Sequence, residues 1–489
     1  MKKQRKPGWM IPAGEKVAMF CGSGSYQFMN TFVQSFLSVY ILMVGISPAV
    51  AAGVLLVLKA WDAVTDVLVG YFIDKWKIRK GKNPFTKWLF SGRYMPWFRI
   101  LFLAMPIGTI VLFTISTSLP MWLRIVQYFV GYLLFDFGMS AMSAYNLLPL
   151  STTNNYDERS FILSWNGLGQ GIGSLPVILL GTAMIAGSVG YGGAATIFCI
   201  AGIILGLIPA VFVKERNAGE FMESEEKKKY TVKEMLQTLK NIPEYLFFLI
   251  GVLISGIFYT SGYGMFVSYY IFDDAMLSIV LTLCSVLPTI VLVPFLPVIF
   301  KHVDKIVVAR VVCFVFAICG ILICVLGADF LKANLPFLYL LSGLQGMCYS
   351  LHMFACSQLT VDIVEMAKYR TGTDAGGIIS AAYSFVTKLV SSLVTSVTLL
   401  ILGFYGFVSV EAASFEELAE LNAQGIGLQT DRALEGLWNV SYLFPLIGFA
   451  LAGILYFFVK VRRKDVKVYM QVNSGEISRE EGEKLLAQK

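Results

Sequence analysis

Apolar runs of about twenty residues or more, the length a helix needs to cross a bilayer, alternate with short polar segments along nearly the whole chain. They predict twelve helical spans, at 17–42, 49–73, 97–118, 121–150, 161–187, 193–213, 245–271, 276–300, 306–327, 336–363, 374–404 and 433–459. Several runs carry interior Gly, Pro, Asn or Gln, which suits helices lining a cavity better than isolated anchors. Composition agrees, with 56% of the 489 residues hydrophobic and 15% charged. A soluble chain of this length needs far more charge to cover its surface. The fold class is therefore an all-α membrane protein.

Charge placement sets the expected orientation. Of the 39 Lys and Arg, only Arg124, Lys332 and Arg432 fall in loops after odd-numbered spans, and Lys59 and Lys388 lie inside spans. The remainder cluster at both termini and in loops after even-numbered spans, while the loop 405–432 is acidic (Glu411, Glu416, Glu417, Glu420). Basic segments stay on the cytosolic side, so both termini are expected in the cytosol and the chain in the cytoplasmic (inner) membrane. The net charge of +7 is this bias and implies no nucleic-acid partner. Lys2-Lys3-Gln4-Arg5-Lys6 precedes a long, polar-studded first span without a small-residue cleavage site, so that span is expected to be retained. The eight cysteines all fall in predicted spans and form no CxxC pair, the pattern of small core residues.

A hydrophilic stretch at 214–244 splits the chain into six-span halves, 1–213 and 245–460, followed by a basic tail, 461–489. Within the stretch, Thr231-Val-Lys-Glu234 is a capping box ahead of Val232, Met235, Leu236 and Leu239 at helical spacing, predicting an amphipathic helix that tethers the halves. After the second span, Gly70-x3-Asp74-Lys75-x3-Arg79 resembles the G-x-x-x-D-[RK]-x-x-x-[RK] element of the major facilitator superfamily. Two six-helix halves joined by a polar loop is also that superfamily's plan, which places substrate between the halves near the midplane.

Just upstream, Lys59, Asp62 and Asp66 share one helical face at one-turn spacing. An intramembrane charge costs at least about 2.5 kcal/mol on insertion scales. A Lys59–Asp salt bridge would explain two of the three and leave one acid over. Two neighbouring carboxylates also share a proton more readily than either holds one alone. The group is therefore expected to carry a cation.

Further residues carry a family resemblance. Trp61-Asp62-Ala63-x-x-Asp66-x-x-x-Gly70 resembles the helix-two motif of the glycoside–pentoside–hexuronide:cation symporters, the melibiose-carrier type. Gly92-Arg93-Tyr94-x-Pro96-Trp97, Asp157-Glu158-Arg159, Leu239-Lys240-Asn241, Asp362-x-x-Glu365, Gly372-Thr373 and Tyr383-Ser384-Phe385-x-x-Lys388 follow in the same order over roughly 17–460. The resemblance implies that Asp62 and Asp66 bind the coupling cation and that Lys388 lies close to them. A buried salt bridge is the alternative for Lys388.

Three departures alter the expected site. Eight residues before Pro149, where the melibiose-carrier type has a helix-four acid, stands Ala141; Asp136, about 140° around the helix from it, either faces the cavity or pairs structurally. The helix-one acid is replaced by Tyr26-Gln27, and the helix-five arginine by Asn166. The candidate solute set is then neutral hydrogen-bonders and aromatics: Tyr26, Gln27, Asn30, Tyr145, Asn146, Asn166, Gln170 and Gln345, with Asp136 and His352. For His352 a satisfied core histidine is the favoured reading, and carrying a proton or bonding solute the other. Residues 83–91 are an insertion with no function legible in sequence. Ion pairs of Lys75, Arg79, Lys80 and Arg159 with Asp362 and Glu365 are expected to gate the cytosolic mouth, with Asp74 pairing to cations on moving helices. Gly167, Gly169, Gly171 and Gly173 are expected to serve helix packing.

These features predict a monomeric secondary transporter that couples uptake of a sugar, glycoside or similar small solute to a cation. With the helix-four acid missing, a proton is favoured over sodium, although Asp62, Asp66 and Thr65 also supply oxygens for sodium. No cofactor is expected, no metal beyond that sodium, and no catalytic constellation: the chain is not an enzyme. An uncoupled facilitator or exporter of another amphiphilic solute is the alternative, and a transporter-like sensor would not need the buried charges.

Overall fold

In the computed structural model, residues 9–75, 83–153, 156–216, 242–259, 263–292, 295–371 and 376–487 are described. Arg79, Lys80, the linker helix expected after Thr231, and the side chains of Asp66, Asp74 and Lys75 lie outside the described residues. The chain forms two compact units, Met1–Glu226 with Phe407–Gln429, and Lys227–Gly406 with Thr430–Lys489.

The first unit contains α1 (Ala13–Met43), α2 (Pro48–Lys75), the short α3 (Pro84–Leu89), α4 (Met95–Leu101), α5 (Ala104–Phe113), α6 (Met121–Thr152), α7 (Tyr156–Pro176), α8 (Thr182–Ala186) and α9 (Gly190–Phe212). A π turn, Val177–Gly181, joins α7 to α8. α1 packs on α7 and α9. A Cβ at Gly169 or Gly173 would sit 2.7 Å from the carbonyl oxygens of Phe20 and Gly24, so these two glycines let the helices touch. Gly167 and Gly171 face open space.

Carboxylates fasten one end of this unit. Buried Glu158 accepts the amides of Met10 and Ile11 at 2.8 and 3.1 Å and the Thr153 hydroxyl at 2.9 Å, with Lys16 Nζ at 2.7 Å. Glu215 accepts the amides of Arg93, Tyr94 and Met95 at 2.9, 2.9 and 2.6 Å, occupying the donors that the start of α4 leaves open. Gly92, at φ 101°, bends the chain there, and any side chain on it would strike the Glu215 carboxylate. The insertion also gains a structural role, because Arg99 lies 4.6 Å over the Trp88 ring and donates to Ser91 Oγ at 2.9 Å and to the Ala210 carbonyl at 2.9 Å.

The Glu158 latch makes a testable pH statement. Burial opposes its charge, but Lys16, the two amides and the Thr153 hydroxyl outweigh burial and hold the carboxyl below the usual glutamate range. A depressed carboxyl contributes stability above its unfolded pKa and loses it as pH falls through the folded one. Hydrogen exchange at the Met10 and Ile11 amides should show protection persisting below the ordinary carboxylate range and collapsing only in stronger acid. Collapse already near the ordinary value of about 4.3 would refute it.

Residues 407–429, which the sequence leaves within the second half, pack in the first unit. The amides of Val410 and Ala412 donate to the carbonyls of Leu42 and Met43 at 3.1 and 2.9 Å, and Ser409 Oγ donates to the Ile46 carbonyl at 2.8 Å. Buried Arg124 donates to the carbonyls of Val44 (2.9 Å), Leu119 (2.8 Å) and Thr117, and to Glu411.

The second unit contains α10 (Pro243–Phe258), α11 (Gly264–Tyr270), α12 (Leu277–Leu292), α13 (Leu296–His302), α14 (Lys305–Ala333), α15 (Leu335–Thr371) and α16 (Gly376–Phe404). After α17 (Phe415–Ala423), which belongs to the strap 407–429, come α18 (Asp431–Trp438), α19 (Phe444–Leu455), α20 (Arg463–Ser474) and α21 (Arg479–Ala487). Its core joins α10, α14, α15 and α19 through buried aromatics, with Phe316 and Phe449 stacked at 4.0 Å. α20 and α21 fold against the end of α15, where Tyr369 stacks on Tyr469 at 4.7 Å.

Twelve transmembrane passes result: α1, α2, α4–α5, α6, α7–α8, α9, α10–α11, α12–α13, α14, α15, α16 and α18–α19. The fold is all-α, six passes to each half. Several passes differ from the expected single spans. The twelfth contains a π turn, Asn439–Leu443. Gly327 breaks α14 at φ 75° where the ninth span was expected to end. α15 runs to Thr371, beyond the expected end at 363, because α20 packs on its extension.

Candidate functional site

The charged face of α2 meets α6. Lys59 Nζ lies 3.8 Å from Asp62 Oδ2 and 5.4 Å from the centre of the Tyr132 ring. One turn beyond Tyr132, Asp136 is buried, and its Oδ2 accepts the Thr65 hydroxyl proton at 2.8 Å. Thr65 Oγ1 also lies 3.0 Å from the Asp62 carbonyl, but its single proton goes to the charged acceptor, the stronger bond. The face thus joins Lys59, Asp62 and Thr65 from one helix to Tyr132 and Asp136 from the other.

Of the two readings open for Asp136, facing the cavity or pairing structurally, the structure supplies a structural partner: Thr65 reaches across the α2–α6 contact to the turn that carries Asp136. Tyr132 was missed. The available signal was its position one turn before the only acid in the span 121–150.

In chemistry, the described group offers two carboxylates, a hydroxyl and a carbonyl around one lysine. These are hard oxygen donors, suited to a proton or an alkali cation and unsuited to soft metals. Among the described residues no cluster of three His, Cys, Asp or Glu is arranged to hold a metal ion. Lys388, on α16 of the second unit, is exposed.

The other solute candidates separate into two kinds. Tyr26 approaches Met139 Sδ at 3.9 Å, and Gln27 Nε2 donates to Thr31 Oγ1 at 2.9 Å. Asn166 is buried and Asn30 half-buried, each with an Oδ1 that makes no hydrogen bond to a described residue. Asn146 is exposed, Gln170 half-buried and Gln345 buried. These residues retain polar capacity for a solute.

Tyr145 and His352 sit in the cores of their units. Tyr145 is fully buried, donating to the Met19 carbonyl at 2.5 Å beside Phe98, where Gly22 lets α1 approach. His352 Nε2 lies 2.8 Å from the Tyr456 hydroxyl, with its ring edge-on to Phe449 inside the core of the second unit. Its Nδ1 makes no hydrogen bond to a described residue.

Three of the gating candidates, Asp362, Glu365 and Arg159, have partners among the described residues. Asp362 pairs with Lys305 at 2.7 Å, and Glu365 accepts Asn473 Nδ2 of α20 at 2.8 Å. Arg159 Nη2 donates to the Thr153 carbonyl at 3.1 Å. Lys305 and the tail supply partners that sequence order could not foretell.

Comparison with known proteins gives this geometry a setting. The isoprimeverose transporter of Lactiplantibacillus pentosus is 25% identical over 484 residues, covering 94% of this chain and 91% of that protein. The sodium-dependent lysophosphatidylcholine symporter 1 of Gallus gallus is 28% identical over 190 residues, 37% of this chain and 32% of that protein. Among solved structures, the nucleoside transporter NupG superposes with a TM-score of 0.62 at 13% identity, covering 91% of this chain and 99% of that one. A bacterial homologue of the lysosomal transporter Spinster, inward-facing, does so at 0.54 and 14% identity, covering 92% and 98%. The family of MFS/sugar transport proteins matches residues 19–463, and this chain belongs to it: a multi-pass membrane transporter and not an enzyme.

Proposed function

We propose that the protein is a cation-coupled symporter for a sugar or glycoside, with the cation taken at the α2–α6 charge cluster. The carrying observation is the Thr65–Asp136 hydrogen bond at 2.8 Å beside the Lys59–Asp62 pair. A buried acid on α6 facing a half-buried acid and a lysine on α2 is costly without a mobile cation. Asp136 is offered as the third carboxylate whose apparent loss favoured a proton. With Asp62, Asp136 and the lone pairs of Thr65, and with Asp66 as the family resemblance assigns it, the oxygen set favours sodium. The near full-length likeness to an isoprimeverose transporter supports a glycoside as solute, held by Gln27, Asn30, Asn166 and Gln170. The basic loops after even-numbered spans support cytosolic termini and a place in the cytoplasmic membrane.

A second reading, an amphiphilic lipid-like solute, draws on the partial likeness to lysophosphatidylcholine symporters. Proteoliposomes decide between them. With an imposed inward sodium or proton gradient, a glycoside panel should show accumulation above equilibrium. Equilibration regardless of gradient would make the protein an uncoupled facilitator. Accumulation of lysophospholipid alone would establish the second reading.

A further inference from the structure

Where pass twelve leaves the membrane, the chain reads Phe457-Phe458-Val459-Lys460-Val461-Arg462-Arg463-Lys464-Asp465-Val466-Lys467. Five cations follow two aromatics within nine residues. By itself such a run is an ordinary topological flank. The structure adds that it is held in place at the bilayer edge.

Three contacts do this. Arg310, near the start of α14, donates from Nε to the Tyr456 carbonyl at 2.8 Å and from Nη2 to the Val459 carbonyl at 3.0 Å, clamping the end of the pass. The Arg463 amide donates to Asp304 Oδ1 at 2.9 Å, so α20 begins against the mouth of α14. Asp465, Val466 and Tyr469 then bury one face of α20, which packs on α15. That leaves Lys464 and Lys467 on the exposed face, with Lys460 and Arg462 exposed just before it.

The result is a cationic shelf that cannot swing into bulk water. Beside it Phe457 and Phe458 are 57% and 54% exposed, as suits a lipid-facing girdle, and the Arg310 guanidinium lies 5.0 Å over the Phe457 ring. The four residues between Phe458 and α20 span at most about 14 Å. The residue after them, Arg463, is pinned to Asp304, so the shelf lies within reach of headgroups, given a Debye length of about 8–10 Å.

We propose that this shelf binds anionic phospholipid headgroups, the phosphate meeting Arg462, Lys460 and Arg310 while the acyl chains lie along Phe457 and Phe458. Charge complementarity and the aromatic rim point to a lipid and not to a free anion, because only a lipid satisfies both. The inference is independent of which solute or cation the protein carries.

The test uses the full chain in mixed micelles, with lipids retained in native mass spectrometry as the readout. Phosphatidylglycerol should bind more tightly than phosphatidylcholine, and inorganic phosphate should not compete at millimolar concentration. Each surface charge is worth about fivefold in affinity, so Lys464→Gln with Lys467→Gln should weaken binding by about 25-fold. Adding Lys460→Gln and Arg462→Gln should abolish the preference. The double variant alters only the exposed face of α20, so it reports even if the quadruple variant fails to fold. Equal binding of the two lipids would overturn the proposal and leave the shelf a topological flank. Undiminished preference in the double variant, or efficient competition by phosphate, would overturn it as well.

Discussion

Asp136→Asn should abolish gradient-driven accumulation while leaving solute exchange at equilibrium measurable. The substitution keeps the side chain's size but removes a charge from a buried group in which Thr65 donates to Asp136 and Lys59 faces Asp62. Lys59 then balances one of the remaining acids with less charge left over for a cation, and coupling loses its driving affinity. Thr65→Val tests the same link more finely. It leaves the buried Asp136 carboxylate without its hydroxyl donor, worth about 1–3 kcal/mol, and should raise the half-saturating cation concentration about 5–150-fold. Thr65→Ser should restore it, which mere loss of packing would not allow. The ion is read from the same assay. Sodium stimulation at constant pH, lost in Asp136→Asn, supports the sodium site. Dependence on the pH gradient alone returns the reading to a proton. Cation-stimulated accumulation surviving in Asp136→Asn would remove the α2–α6 cluster from coupling.

Arg124→Ala should be the most destabilising single change where α6 meets the strap 407–429, at about 2–4 kcal/mol. Two terms compete at this site. The ion pair to Glu411 looks prominent, but the Glu411 side chain is 50% exposed, and a solvated pair contributes at most about 1 kcal/mol. The carbonyls of Val44, Leu119 and Thr117 are different. They converge on a buried guanidinium whose removal leaves them without their shared donor. Glu411→Gln should therefore cost under about 1 kcal/mol, and the asymmetry between the two variants is the expectation. Thermal unfolding in detergent, together with proteolysis within 407–429, measures both. Equal effects of the two substitutions would assign the stability to the ion pair.

The legible parts of this protein follow from local constraints. An apolar run long enough to span is helical because lipid leaves its backbone no other partner, so the passes could be read from hydropathy, with differences mainly at their ends, as where α14 and α15 run on to Ala333 and Thr371. The order of short motifs led to the family for the same reason: the α2 face carrying Lys59, Asp62 and Thr65 is set by helical periodicity. The meaning of Gly92-Arg93-Tyr94 was half visible. A bend before a helix could be expected, but its cap, Glu215, lies more than a hundred residues away.

Wherever two helices had to meet, sequence alone was insufficient. Rotation about α6 counted from Pro149 placed Asp136 away from the missing acid's position, yet the α2–α6 contact brings Thr65 to it. Tyr145 and His352 carry polar atoms in the right spans, and only the structure shows that the Met19 carbonyl and the Tyr456 hydroxyl lie beside them. The strap 407–429 and the tail helix α20 are polar segments whose docking depends on carbonyls and carboxylates from distant parts of the chain. Periodicity determines which residues share a helix face. Which face meets which neighbour is a property of packed surfaces, and that is where the tertiary structure decided the site.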